Sequence, residues 1–178
     1  MNLEGVKVTS EILWRAALLF ALIDAVLVAY LARFIDPSIF RQLKWPVTLI
    51  AGIFWFLIWL VMVLFFWEPV YHYVFPLWSR WLIPPLLGIG FAFAGLLIWW
   101  LALQFKSNQV VNFCLFGGLL GMMTHIWAIY RGILEKPPLL QGASPVAASI
   151  MPIFEFIFYW CVILGGAFLW NKRKNKLK

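Results

Sequence analysis

Five long runs of apolar positions, separated by short polar intervals, organise this chain. They cover about residues 12–34, 46–67, 82–105, 110–130 and 145–170, the third beginning at Leu82 or Leu86. Each is close to the ~20 residues that a helix needs to cross a hydrocarbon core about 30 Å thick. Inside that core only the chain itself can satisfy its N–H and C=O groups, and a helix does so within one segment. The pattern therefore predicts an all-α integral membrane protein, a single bundle of about five transmembrane helices occupying residues 1–178. The link at 106–109 is so short that the third and fourth runs must be antiparallel neighbours. The link at 68–85 is longer and rich in rings, with Trp67, Tyr71, Tyr73, Trp78 and Trp81 in or beside it. Such rings collect in the headgroup layer, so this link is expected to lie in the interface.

Small residues recur at helical spacing in the middle of the chain. Gly88, Ala92 and Gly95 share one face of the third run; Gly117 and Gly121 share a face of the fourth, and His125 continues their row. Small faces let helix backbones approach closely in lipid, where packing replaces the hydrophobic drive. His125 is accordingly expected to point into the bundle.

Composition agrees with the pattern. Apolar residues make up 65% of the chain and charged residues 12%, against roughly 25% charged in soluble domains. The net charge of +7 is unevenly placed, with Lys172, Arg173, Lys174, Lys176 and Lys178 all in the stretch 171–178. A basic tail directly after an apolar run is attracted to anionic lipid headgroups, and no nucleic-acid partner is expected. Lys and Arg concentrate on the cytoplasmic side of membrane proteins. With the N-terminus outside, nine of the fourteen basic residues fall inside (Arg33, Arg41, Lys44, Lys106 and the five of the tail) and five outside (Lys7, Arg15, Arg80, Arg131, Lys136). The expectation is N-out and C-in, in a plasma (inner) membrane. The first apolar run follows Glu4 and Glu11 and contains Asp24, so it reads as retained rather than as a cleaved leader. Cys114 and Cys161 form no C-x-x-C pair and read as small buried side chains.

Ionisable residues inside apolar runs require an explanation. A charge at the centre of a membrane helix costs about 2.5–3.5 kcal/mol on insertion scales and faces the bundle interior or a cavity. Asp24 lies midway along the first run and Glu155 about midway along the fifth, with Tyr159 one turn beyond it and placed to hydrogen-bond it. Arg15, near the outer end of its run, can snorkel to the surface. His125 lies ~8 Å below the outer boundary at 1.5 Å per residue, and Arg131 follows at its mouth. Glu68 and His72 would share a helical face, but Pro69 disfavours helical geometry at Glu68.

Three functional readings follow. In the first, a polar pocket opens on the outer side and narrows toward Glu155, and it binds or passes a small ion, proton or ligand. Glu155 and His125 carry the site, Asp24 supports it, Glu68 and His72 form its entrance, and Arg131 and Tyr159 assist. Five runs show no internal repeat of the kind many transporters have, so a homo-oligomer or a subunit of a larger membrane complex is expected. In the second, His72 and His125 ligate a haem, or Glu68, His72, His125 and Glu155 hold a metal ion through mixed N and O ligands, for electron transfer. In the third, the protein is a structural membrane subunit and these residues serve packing. Neither H-E-x-x-H nor G-x-S-x-G occurs, which disfavours an enzyme. The segment 130–145, with Pro137 and Pro138 and the apolar Ile133, Leu139 and Leu140, is expected to lie over the bundle mouth as a lid, to contact a partner, or to form an ordinary interfacial loop. The orientation is directly testable. A cysteine introduced by Lys172→Cys is expected to react with an impermeant maleimide only after the membrane is opened.

Overall fold

The computed structural model describes residues 7–73, 75–132 and 134–176. Glu4, Ile133 and Lys178 therefore lie outside the described residues. The fold is all-helical, and five helices are long and apolar enough to cross a membrane. In chain order the helices are α1 (Ser10–Phe34), α2 (Pro37–Gln42), α3 (Lys44–Phe65), α4 (Ile83–Gln104), α5 (Gln109–Tyr130) and α6 (Pro145–Lys176).

Local chemistry sets the ends. Thr9 caps α1 through its hydroxyl, and the Asn108 side chain accepts from the Val110 and Val111 amides at the start of α5. Capping of this kind supplies partners for amides that the helix leaves open. The short α2 starts at an Asp-Pro-Ser signal. Asp36 accepts from Ser38 and Ile39, and Pro37 occupies the first turn, where its missing N–H costs nothing. Past Trp170, α6 runs on into the basic stretch. No Gly or Pro interrupts the sequence there, and cations suit the negative end of a helix dipole.

The centre of the bundle is α6, which packs against α1, α3 and α5, while α3 and α4 form the most extensive pair. Glycines set the spacing. A Cβ at Gly117 or Gly121 would run into the rings of Trp160 and Phe156 respectively, and one at Gly118 would meet Ile157 and the Ile153 carbonyl. The row Gly117, Gly121, His125 thus faces α6, and His125 meets Phe156 edge-on with ring centroids 5.9 Å apart. On the other interface, a Cβ at Gly88 would lie 3.0 Å from the Gly52 carbonyl of α3, and Gly95 faces Ala51 of α3 and Trp160. Cys114 and Cys161, 47 positions apart in sequence, lie with their sulfurs 3.5 Å apart as buried free thiols between α5 and α6. The outer faces present Leu18, Leu22, Val26 and many other large apolar side chains, as lipid-facing helices do.

The links are tied to the bundle. In the 66–82 link, Trp67 is buried against Val63 and Ile83, and the Arg80 guanidinium donates to the Val63 carbonyl near the end of α3 while lying over the Trp67 and Trp81 rings. The segment before α6 is fastened to the stretch before α1. Val8 donates to the Leu139 carbonyl at 2.8 Å, Thr9 and Gly142 form an isolated bridge, and the Ser144 amide donates to the Ser10 hydroxyl at 2.8 Å. At the other end of the bundle the Trp99 indole donates to the Phe40 carbonyl at 3.1 Å, which fixes α2 against α4.

These contacts rank the glycines. Gly117→Ala and Gly121→Ala are expected to destabilise the protein by about 1–3 kcal/mol each, the usual cost of overpacking. Gly90→Ala, where nothing lies within 4 Å of the added carbon, is expected to be neutral or slightly stabilising. Thermal unfolding in detergent would compare the three.

Candidate functional site

Two carboxyl groups, Asp24 and Glu155, stand inside long apolar helices, and the structure separates them on different sides of the bundle. Glu155 projects from α6, partly buried, and accepts a hydrogen bond from the Tyr159 hydroxyl one turn further on. The Tyr159 ring packs against Phe54 and Trp55 of α3, while its neighbour Phe158 packs against Phe20 of α1. This face of α6 therefore looks toward the interval between α1 and α3, which make no extended contact with each other. Tyr71, in a short 3-10 turn of the 66–82 link, packs its ring on Trp59 of α3 and is close enough to Glu155 to feel its charge. Burial, and then the Glu155 carboxylate, push the Tyr71 hydroxyl up from 10 to about 12.

Asp24 is the only charged residue buried in the core among the described residues, with 4% of its surface exposed. Neither carboxyl oxygen has a hydrogen-bond partner there. It lines a groove of about 400 Å³ between α1, α5 and α6, walled by Ala21, Ala25 and Val28 of α1, Cys114 and Leu115 of α5, and Ile157 of α6. The two ion pairs among the described residues, Arg15–Glu11 and Glu68–His72, lie in the first turns of α1 and in the 66–82 link. Neither Asp24 nor Glu155 has a cation within ion-pair distance among the described residues.

The remaining candidates have local partners. His125 uses Nδ1 to hydrogen-bond the Gly121 carbonyl of its own helix at 3.0 Å. The His72 Nδ1 is 3.9 Å from a Glu68 carboxylate oxygen, and its ring lies against Tyr73. The helix does end before this pair, at Phe65, and both side chains are exposed. Arg131 closes α5 with its guanidinium 5.4 Å from the centre of the Trp127 ring. Of the basic stretch, Lys172, Arg173, Lys174 and Lys176 are exposed on the last turns of α6.

Sequence reasoning linked Glu155 with Tyr159 and Glu68 with His72, and the structure brings both pairs together. It does not assemble the four-residue metal set. Among the described residues no three His, Cys, Asp or Glu side chains converge, because His125 is turned onto its own backbone and Glu68 and His72 stay in the link. Sequence reasoning missed Tyr71. Its position in an aromatic link suggested only the interface, and nothing local to it signals α6. No protein family, no curated protein and no solved structure matches the chain.

The Tyr71 shift has a definite sign in stability. A group whose pKa is higher folded than unfolded contributes fully below its unfolded value, and the contribution is lost as pH rises through the folded one. The wild-type advantage over Tyr71→Phe is therefore expected to be constant below pH 10 and to disappear as pH rises through about 12. Glu155→Gln is expected to move the onset of tyrosinate absorbance at Tyr71 downward, since it removes the second cause of the shift.

Proposed function

We propose that the protein binds and passes a proton or small cation, with the Glu155–Tyr159 pair as the site. One observation carries this reading: a carboxylate about a third of the way along a helix long enough to span a membrane has a tyrosine hydroxyl as its partner and, among the described residues, no cation within ion-pair distance. A carboxyl in lipid carries a cost that structural residues seldom repay, and such groups mark ion and proton pathways. The hydroxyl holds the carboxylate in one orientation while leaving its second oxygen for an incoming ion or proton. Tyr71 adds a second hydroxyl on the route from the 66–82 link. That link is assigned to the outer side, with the N-terminus outside and the C-terminus in the cytoplasm of a plasma membrane, on the distribution of Lys and Arg. Glu68, His72 and Arg131 then stand at the entrance, and His125 serves packing and orientation within α5.

A second reading, action within a homo-oligomer or a larger membrane complex, is favoured by Asp24. Its unpartnered carboxyl lines a groove at the side of the bundle, where a neighbouring subunit is the natural source of a donor.

Proteoliposomes containing a pH-sensitive dye and an imposed membrane potential test the first reading. The wild type is expected to acidify or alkalinise the lumen in response to the potential. Glu155→Gln is expected to abolish this flux, and Tyr159→Phe to slow it by about tenfold, the equivalent of one hydrogen bond to a charged group. Flux that persists unchanged in Glu155→Gln, or a folded wild type with no flux of protons or alkali cations, would reject the reading.

A further inference from the structure

A concavity of about 540 Å³ opens at the end of the bundle where α1 passes into α2 and α4 into α5. Three cations line it: Arg33 in the last turn of α1, Arg41 in the last turn of α2, and Lys106 in the link between α4 and α5. All three are exposed, and no carboxylate lies within ion-pair distance of any of them among the described residues. The one acid in the lining is Asp36. A single oxygen of its carboxylate accepts the Ser38 amide and hydroxyl, both at 2.7 Å, and the Ile39 amide at 2.9 Å. Those bonds, the Ser38 hydroxyl first, hold its carboxyl below the ordinary range. Asp36 is thus committed to capping α2, and the concavity keeps three positive charges against one negative.

The N-terminus of α5 lies at the rim and contributes the positive end of its dipole. The Val110 and Val111 amides there are already taken by Asn108, so the charged contacts to a ligand come from the Arg and Lys side chains. Two guanidinium groups and an ammonium suit phosphate oxygens, which guanidinium forks bind in a bidentate manner. Exposed Trp45 lies at the same end of the bundle, and tryptophan rings mark the depth of lipid headgroups. Ala32 and Leu103 line the concavity as well, giving it apolar wall beside its charges.

We propose that this concavity binds the phosphate of an anionic phospholipid headgroup. The site is distinct from the Glu155–Tyr159 pair and does not depend on the function proposed for it. The basic turns of α6 begin beside it, where the Asn171 side-chain amide donates to Gln42, but none of their residues lines the hollow.

The test is titration of short-chain phosphatidylglycerol into the detergent-solubilised full chain, with bound lipid counted by native mass spectrometry. Phosphatidylcholine and inorganic phosphate serve as separate arms. The triple variant R33Q/R41Q/K106Q is expected to bind phosphatidylglycerol about a hundredfold more weakly, and K172Q/R173Q/K174Q/K176Q to bind it nearly as the wild type does. Asp36→Asn keeps a capping side chain and removes the opposing charge, so it is expected to bind about fivefold more tightly, a gain that misfolding does not produce. Undiminished binding by the triple variant, loss confined to the α6 variant, or equal binding of phosphatidylcholine would overturn the proposal. Inorganic phosphate binding as tightly as the lipid would overturn the lipid as its source.

Discussion

Most of this structure depends on the seating of two aromatic side chains of α6 in notches on α5. Helices that share a lipid solvent gain little by hiding apolar surface from it, so close packing must hold them together. Trp160 and Phe156 occupy the space that side chains at Gly117 and Gly121 would fill. The same Trp160 ring reaches Gly95 of α4, and Phe156 lies among Trp55 of α3, Phe91 of α4 and His125. Two residues one turn apart thus bring α3, α4 and α5 onto α6. The depth and rotation of α6 are set by this seating, and so is the direction in which Glu155 faces.

That geometry divides the polar groups by position. Glu155 and Tyr159 share α6 with the seated rings but lie on its face toward α1 and α3. Asp24 faces the other way, into the groove that α1 makes with α5 and α6. The two acids are therefore not a carboxyl pair, and each must meet its requirement separately. Glu155 has a hydroxyl from its own helix. Asp24 has no donor among the described residues, and its requirement points to the side of the bundle.

The five long helices were legible because hydrocarbon imposes a length and a composition on any segment that crosses it. Their ends match the apolar runs to within a few residues except at α6, which continues through Lys176 because charge alone does not stop a helix. The six-residue α2 was hidden by its size, although Asp36, Pro37 and Ser38 spell a helix start. The glycine rows announced close packing, but not that the partners would be Trp160 and Phe156. The Glu155–Tyr159 bond was readable from helical spacing alone. Contacts between distant segments were not: the approach of Tyr71 to Glu155, the meeting of Cys114 with Cys161, and the binding of the 139–144 stretch to residues 8–10 all depend on how helices are placed in three dimensions. The hollow ringed by Arg33, Arg41 and Lys106 was hidden for the same reason, since in sequence these are three scattered charges.

Pro152 stands inside α6. It has no N–H to give the Ala148 carbonyl, so one rung of the helix is missing there. From Pro152 to Lys176 the helix then continues for ~36 Å at 1.5 Å per residue, with Glu155 in its first turn. The carboxylate therefore stands beside the one turn of α6 whose backbone ladder is a bond short, and Phe156 and Trp160 seat the helix just beyond it.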